Sequence, residues 1–246
     1  MIVLGFDTAT SSTAVALRLG NGSTLQARDD PDRTPPTQPP GHTTRLLGMA
    51  DELLGRANIG WRALERIAVG LGPGTFTGLR VGVATARGLA QSLEIELAGV
   101  SSLRALAEPA LRSERDGSRV LAVLDARRGE AFLAAYEMAD GGSVEELMPP
   151  RALAPGDLGS TLAQAKTQHG RENAAAWRAI GDGAVRFRAH LQAAGVTVPP
   201  DSSPLHLLSA EAICDLGARA EALTSYQAIV PDYRRRPDAE IALERK

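Results

Sequence analysis

IAVGLGPGTFTGLRVGVATARGLAQSLEIELAG, which runs from Ile67 to Gly99, holds a strand, a loop, a helix and a second strand in succession. The apolar run from Ile67 to Leu71 ends at Gly72-Pro73-Gly74, a pattern typical of a buried strand that closes in a tight turn. Thr77 is then a suitable N-cap for a helix, because its hydroxyl can accept a hydrogen bond from a backbone N–H of the first turn. This order predicts two strands connected by a helix.

The glycine-rich loop has the composition of a phosphate cradle but matches neither common nucleotide-binding motif. A Walker A loop needs Lys followed by Ser or Thr, whereas Gly78 is followed by Leu79 and Arg80. A dinucleotide fingerprint needs the spacing G-x-G-x-x-G, which Gly72, Gly74 and Gly78 do not have. The sequence therefore excludes a P-loop NTPase and an NAD enzyme at this loop.

The composition bounds the class of protein. The 246 residues carry a net charge of −2 and only 4% aromatic residues, which disfavours a nucleic-acid groove built from basic and stacking side chains. Cys214 is the only cysteine, so no disulfide or thiolate metal cluster is expected, and its helical context predicts a core position. Met1 leads directly into the first strand without a basic segment, and no apolar run has membrane-spanning length. We expect a protein that is neither secreted nor membrane-inserted.

The N-terminal half reads as three antiparallel strands followed by parallel additions. The strands are predicted at Ile2–Phe6, Thr13–Leu19 and Ser23–Arg28, and a helix at His42–Asn58. The proline-rich segment Asp29–Gly41 is predicted to be an exposed loop, either a functional lid or a tolerated insertion. The order β-β-β-α-β-α-β is that of a ribonuclease-H-like fold.

The pattern then begins again, which indicates an internal duplication. Val120–Leu124 followed by Asp125 mirrors Val3–Phe6 followed by Asp7. The second copy is predicted to be less regular, because Pro149-Pro150 interrupts it. A helix over Leu205–Leu223 is predicted to pack back on the first copy. We therefore expect a first lobe of residues 1–104 plus about 205–246, and a second, reduced lobe of residues 105–204.

Four segments carry a family resemblance: LGFDTATSSTAVAL (Leu4–Leu17), HTTRLL (His42–Leu47), GLGPGTFTGLRVGVATARGLA (Gly70–Ala90) and LDARRGEAF (Leu124–Phe132). Together they resemble the TsaB (YeaZ) family, of the actin, Hsp70 and sugar-kinase (ASKHA) superfamily, through about residue 132. Gly181-Asp182-Gly183-Ala184 and Pro231–Arg235 are similar to later family segments, although Arg234 stands where leucine is common. The resemblance implies an α/β fold of duplicated ribonuclease-H-like lobes.

The resemblance also implies a function in tRNA modification. It implies a non-catalytic, cytoplasmic subunit of the complex that forms threonylcarbamoyladenosine at position 37 of tRNAs reading codons that begin with A. The implied partners are the catalytic subunit TsaD, in a heterodimer, and TsaE, with a homodimer in isolation, tRNA reached through the complex, and no membrane. No cofactor of its own is expected, and ATP and a divalent metal are expected in the partner proteins.

The superfamily holds ATP phosphates in the turn after the first strand of each lobe. This implies a vestigial phosphate site at Asp7, Thr8, Thr10, Ser11, Arg127 and Arg128. The first turn keeps hydroxyls, whereas the second is bulky and lacks glycine-rich spacing, so tight ATP binding is not expected. Arg127 and Arg128 either reach a phosphate or carboxylate of another molecule or are solvated. The role of Arg235 is open in the same way.

Small residues recur at intervals of four along the predicted second helix. Gly78, Gly82, Ala86 and Ala90 form a stripe that permits close helix approach, either by the chain's own sheet or by a partner. Arg80 puts a cation in the first helical turn, where the helix dipole favours an anion. The family resemblance implies that the first two helices form the partner interface, for which the candidates are His42, Arg45, Leu46, Met49, Gly78, Arg80, Val81, Gly82, Thr85, Ala86 and Leu89.

An enzyme of the same superfamily is the alternative, a small-molecule kinase or ATPase that uses Asp7 and Thr10. A ribonuclease-H-type nuclease is disfavoured, because the strand ending at Leu71 leads into Gly-Pro-Gly where another metal-binding carboxylate is needed. His42 has Leu46 four residues later instead of a second histidine, so no metal site is predicted. His42 is expected to cap its helix or to lie at the surface. No catalytic residue is assigned.

Overall fold

The computed structural model describes residues 1–30, 41–113, 118–139, 142–168, 176–221 and 225–234. The chain divides into two compact units. The first contains Met1–Pro109 and Leu207–Pro231, and the second contains Ala110–His206 and the described residues from Asp232. Most of the predicted proline-rich loop, the end of the tail predicted for the first lobe, and Arg235 lie outside the described residues.

The first unit is built on a five-stranded sheet of order β3-β2-β1-β4-β5. Strand β2 is antiparallel to β1 and β3, and β4 is parallel to β1 and β5. The strands are β1 (Val3–Asp7), β2 (Thr13–Arg18), β3 (Thr24–Asp29), β4 (Arg66–Gly70) and β5 (Glu96–Val100). The predicted order β-β-β-α-β-α-β is confirmed.

Helices cover both sides of this sheet, and other helices pack on the sheet of the second unit. In chain order they are α1 (His42–Arg56), α2 (Phe76–Leu93), α3 (Ser102–Ser113), α4 (Pro155–Gln168), α5 (Asp182–Arg186), α6 (Arg188–Ala193) and α7 (Ala210–Arg219). Leucines of α1 and Val83 of α2 join Phe6 and Leu17 in one apolar core, because apolar residues recur at helical spacing on one face of each helix. Helix α7 packs in a separate cluster with Val3 and Ala16.

Close packing and one arginine hold helix α7 against the first sheet. A Cβ on Gly217 would lie 2.4 Å from the Cβ of Ala68, so the helix rests almost directly on the sheet. The Arg66 guanidinium donates to the carbonyls of Gly217 (2.6 Å) and Ala220 (2.8 Å), which satisfies acceptors that the end of the helix leaves open. Cys214 is buried, as predicted, and burial raises the pKa of its thiol to about 12. The predicted return of this helix to the first lobe is confirmed.

Two predicted helix boundaries are wrong. Helix α2 begins at Phe76 with Thr75 as its N-cap residue, two residues before the predicted cap at Thr77. Helix α7 is shorter than the predicted Leu205–Leu223, because the Ser209 hydroxyl accepts from the N–H of Ala212 at 3.1 Å and starts the helix there.

Over the described residues, the second unit repeats the order β3-β2-β1-β4 of the first sheet and has no counterpart of β5. Its order is β8-β7-β6-β9, with β6 antiparallel to β7 and parallel to β9. The strands are β6 (Arg119–Asp125), β7 (Ala131–Met138), β8 (Val144–Leu153) and β9 (Trp177–Ile180). The predicted duplication is confirmed. The predicted irregularity at Pro149-Pro150 is also found, because the pairing of β8 with β7 shifts its register there, although both prolines still lie within β8, at the edge of the sheet.

Among the described residues, the helices include none that combines the length and the apolar character needed to span a membrane.

Candidate functional site

The turn after β1 is centred on a carboxylate that the chain itself engages. Asp7 is buried, and its Oδ2 accepts a hydrogen bond from the Ser102 hydroxyl at 2.6 Å. Its Oδ1 accepts from the N–H of Ala9 at 2.7 Å. Burial raises the pKa of Asp7, against the opposing effects of these two hydrogen bonds and of the charge on Arg28. Both carboxylate oxygens therefore have partners within the first unit.

The loop between β4 and α2 packs directly on this turn. The Thr8 hydroxyl donates to the carbonyl of Gly78 at 2.7 Å, and the N–H of Thr75 donates to the carbonyl of Ala9 at 2.7 Å. Polar groups that could face a phosphate are thus bonded to residues 71–78, which we call the glycine-threonine loop and which include the first residues of α2.

Two glycines make this close approach possible. A Cβ on Gly78 would lie 2.0 Å from the carbonyl oxygen of Thr8, and a Cβ on Gly70 would lie 2.0 Å from Oδ2 of Asp7. Real Cβ atoms cannot approach oxygens this closely, so any larger residue displaces backbone or the buried carboxylate. In this structure the glycines let one loop of the chain pack on another.

The remaining first-turn residues of the predicted phosphate site also have local contacts. The Thr10 hydroxyl accepts from the N–H of Ser12 at 3.3 Å, and Ser11 is buried. Asp7 and Thr8 are brought together as the sequence predicted, but both engage the chain itself. A vestigial phosphate site here stays a prediction, with half-buried Thr10 as its more accessible hydroxyl.

His42 begins α1 and is buried, which corrects the prediction of a capping or surface residue. Its Nδ1 lies 2.7 Å from the Thr13 hydroxyl, and burial lowers the pKa of the imidazole. Within the described ranges no group of three or more His, Cys, Asp or Glu side chains is placed to hold a metal ion. His42 ties the start of α1 to β2.

The turn after β6 has a different backbone. Arg127, Arg128 and Gly129 all adopt left-handed conformations, with φ of 62°, 51° and 82°. The turn is closed by the N–H of Glu130, which donates to the carbonyl of Arg127 at 3.1 Å. A left-handed conformation costs about 1 kcal/mol or more for a residue with a side chain, so this turn holds two strained arginines.

Charged groups surround the second turn. Asp125 accepts from the N–H of Arg127 at 2.8 Å and from the Arg186 guanidinium at 2.7 Å, and its own N–H donates to Asp182 at 2.9 Å. Burial raises the pKa of Asp182, the hydrogen bond from Asp125 opposes this, and the charge of Asp125 adds to it. Arg127 and Arg128 are exposed, and a role for them toward another molecule stays a prediction.

The small-residue stripe of α2 packs inward, which corrects its assignment to a partner interface. Gly78, Gly82 and Ala86 are buried in the first unit. A Cβ on Gly82 would lie 2.4 Å from the Thr8 hydroxyl and 3.7 Å from a methyl group of Val69. The flat stripe lets the helix lie close to β1 and β4.

Of the predicted interface residues of α1, some are buried and one is exposed. His42, Leu46 and Met49 are buried, whereas Arg45 is exposed and lies 3.7 Å from Asp29. On α2, Arg80 is exposed and Val81, Thr85 and Leu89 are half-buried. We call the exposed and half-buried residues of the two helices the outer face; it includes Thr44, Arg45, Leu47, Arg80, Val81, Ala84, Thr85 and Leu89.

Sequence reasoning missed two contacts of this region. Ser102, which links Asp7 to the N–H of Gly72, follows β5 at the start of α3, and its position directly after a parallel strand is the available signal. The guanidinium of Arg80 lies 3.7 Å from the centre of the Phe76 ring, one helical turn earlier. This cation–π contact offsets part of the cost of a cation near the start of α2.

Comparison with known proteins shows which family this chain is similar to. Residues 34–243 match the family model described as TsaD, tRNA N6-adenosine threonylcarbamoyltransferase. The chain is 37% identical over 142 residues to the tRNA threonylcarbamoyladenosine biosynthesis protein TsaB of Escherichia coli, an alignment that covers 58% of each chain. It is 35% identical over 132 residues to the TsaB of Haemophilus influenzae, which covers 54% of this chain and 52% of that one.

A solved structure extends the likeness to nearly the whole chain. YeaZ from Pseudomonas aeruginosa superposes with a TM-score of 0.75 and 28% identity, over 94% of this chain and 99% of that one. The sequence alignments, in contrast, span only about half the length of the curated relatives.

Proposed function

Because this chain belongs to the TsaB (YeaZ) family and matches the TsaD family model over most of its length, we propose that it takes part in threonylcarbamoyladenosine formation on tRNA. We assign it the part of a non-catalytic subunit that binds and supports the catalytic subunit TsaD. The modified nucleoside is at position 37 of tRNAs that read codons beginning with A, and the chain reaches tRNA through the complex.

The observation that carries the non-catalytic assignment is the engagement of the first turn by its own chain. Asp7, Thr8 and the carbonyl of Ala9 are bonded to Ser102, Gly78 and Thr75 at 2.6–2.7 Å. A kinase or ATPase of this superfamily would need these groups to face a nucleotide and its metal ion. ATP and a divalent metal are therefore assigned to the partner proteins, including TsaE.

We place the TsaD contact, and a homodimer in its absence, on the outer face of α1 and α2. Leu47 supports this placement because it is a large apolar residue that is 47% exposed in the middle of α1. The inward packing of the small-residue stripe leaves the outer face to make the contact. Such a complex would work in the cytoplasm.

Sedimentation velocity of the chain with the TsaD of its own organism tests this proposal. We expect a heterodimer, and we expect Leu47→Asp to weaken it at least tenfold, because a charge in the centre of an interface loses its hydration. Leu207→Asp is the matched control, since Leu207 is 42% exposed and lies outside both helices. No association with TsaD, or equal effects of the two variants, would contradict the assignment.

Calorimetry with ATP and Mg²⁺ tests the enzymatic alternative. The isolated chain is expected to show neither tight binding nor turnover. Tight ATP binding with turnover by the chain alone would instead establish a kinase or ATPase.

A further inference from the structure

The two prolines of β8 create an irregular edge in the second sheet. Leu133 pairs with Arg151 and Ala135 pairs with Met148, so two steps along β7 correspond to three along β8. Pro149-Pro150 occupies the extra length, as expected because prolines donate no hydrogen bond to the ladder and are tolerated at bulges and edges. Cross-strand partners share a face, so Arg151 lies on the same face as the buried Leu133.

A cavity of about 180 Å³ opens between this part of β8 and α4. Met148 and Ala165, both buried, are part of its wall, and Leu147 and Pro149 supply apolar surface. The polar lining comes from Arg151 and from one stripe of α4, at Thr161, Gln164 and Gln168. These helix positions are three, four and seven residues apart and therefore share a face.

The charge of this lining selects a class of ligand. Among the described residues, the lining contains one guanidinium, two amides and a hydroxyl, and no carboxylate. Arginine presents a planar fork of N–H donors that matches a carboxylate, while glutamine and threonine can both donate and accept. We propose that this cavity binds a small carboxylate that also carries a hydroxyl or a second carboxylate.

Geometry favours a carboxylate over a phosphate. Phosphate sites commonly use backbone N–H groups at a helix N-terminus, whereas Thr161 to Gln168 lie in the C-terminal half of α4 and line the cavity with side chains. The negative helix end there disfavours any anion, so the attraction of a carboxylate rests on Arg151. The two prolines supply no N–H either. The cavity is open to solvent, and its volume of about 180 Å³ is sufficient for a ligand of the size of lactate or succinate.

Titration of the ¹⁵N-labelled full chain with sodium lactate, sodium succinate and inorganic phosphate at constant ionic strength tests this site. We expect saturable amide shifts confined to residues 147–153 and 161–168 with a carboxylate, and at least tenfold weaker binding to Arg151→Gln. Arg62→Gln, which removes an exposed arginine outside the cavity, is expected to bind as the unchanged chain does. The amide spectrum of each variant reports whether it is folded.

Three results would overturn the proposal: no saturable shifts with either carboxylate, an equal response to phosphate, or undiminished binding by folded Arg151→Gln. The site is independent of the proposed TsaD contact, so either assignment can fail without the other.

Discussion

The turn after β1 and the turn after β6 occupy the same place in two sheets of like strand order, yet they are built differently. The first holds a buried aspartate, Asp7, whose oxygens bond to Ser102 and Ala9. The second exposes two arginines on a left-handed backbone, and its aspartate, Asp125, pairs with Arg186. The same pattern of an apolar strand followed by aspartate thus has a structural role in the first unit and forms a charged surface in the second.

The difference shows that a shared motif does not transfer a function from one lobe to the other. Strand order and the position of the aspartate are alike in both units. What differs is the neighbouring chain: Thr75 and Gly78 bond to the first turn through backbone groups, whereas the start of α5 meets the second turn through the side chains of Asp182 and Arg186.

The largest effect is expected from a methyl group at the contact of the first turn. Gly78→Ala places a Cβ 2.0 Å from the Thr8 carbonyl, so we expect a loss of about 3 kcal/mol or more in the free energy of unfolding, measured with urea. In the second turn, the Cβ added by Gly129→Ala would meet no atom within 4 Å. This substitution only places alanine at a φ of 82°, which is expected to lower the free energy of unfolding by about 1 kcal/mol. Equal losses would remove the distinction between the turns.

Gly88→Ala is the control within α2. Its Cβ would also meet nothing within 4 Å, and alanine is the better helix former, so a gain of about 0.5–1 kcal/mol is expected.

The next largest difference in stability between the two turns is expected when the aspartate of each turn is replaced by alanine in separate variants. Asp7→Ala leaves the Ser102 hydroxyl and the N–H of Ala9 without their acceptor in a buried site, for which we expect a loss of about 2–4 kcal/mol. Asp125→Ala removes contacts to more exposed partners and is expected to cost about 1 kcal/mol. Thermal unfolding of both variants measures the contrast, and a larger loss for Asp125→Ala would contradict it.

A smaller effect is expected in the pH dependence of stability. The pKa of Asp7 in the folded chain is raised above its ordinary 3.8, so the folded state holds this proton more tightly than the unfolded state. The resulting stability is present below pH 3.8 and is lost as pH rises through the folded-state pKa. Asp7→Asn removes this titration.

We therefore expect the stability difference between the unchanged chain and Asp7→Asn to fall from pH 4 to pH 7, measured by urea unfolding. Thr10→Ser, which removes no titrating group, sets the experimental error. A difference that grows with pH would show that the ionised form of Asp7 is the one favoured by folding.

The sequence predicted the elements that depend on local periodicity. The strands of the first sheet, β6 and the helices α1 and α2 were expected from apolar runs, alternating patterns and 3.6-residue patterns, whereas β8 was not. The duplication was visible because Asp7 and Asp125 each end an apolar strand. Boundaries were less certain, since Thr75 and Thr77 are both acceptable caps and only the packing of the loop on Ala9 selects Thr75.

The candidate site could be predicted only in part. A stripe such as Gly78, Gly82 and Ala86 looks the same whether it faces a sheet or a partner, and the contact with Thr8 decides between them. Pro149-Pro150 was read as an interruption because the pattern does not show that β8 is an edge strand with a bulge. For the contact of Asp7 with Ser102, which are distant in sequence, the available signal is that each residue lies at or just after the end of a predicted strand, and this does not identify the pair.

Nucleoside analysis of tRNA incubated with TsaD, TsaE, ATP, Mg²⁺ and the threonylcarbamoyl precursor, with and without this chain, tests the central claim most directly. We predict that threonylcarbamoyladenosine forms only when TsaD and this chain are both present, and that the chain without TsaD forms none. Full modification by TsaD and TsaE in the absence of the chain, or modification by the chain without TsaD, would contradict its assignment as a non-catalytic supporting subunit.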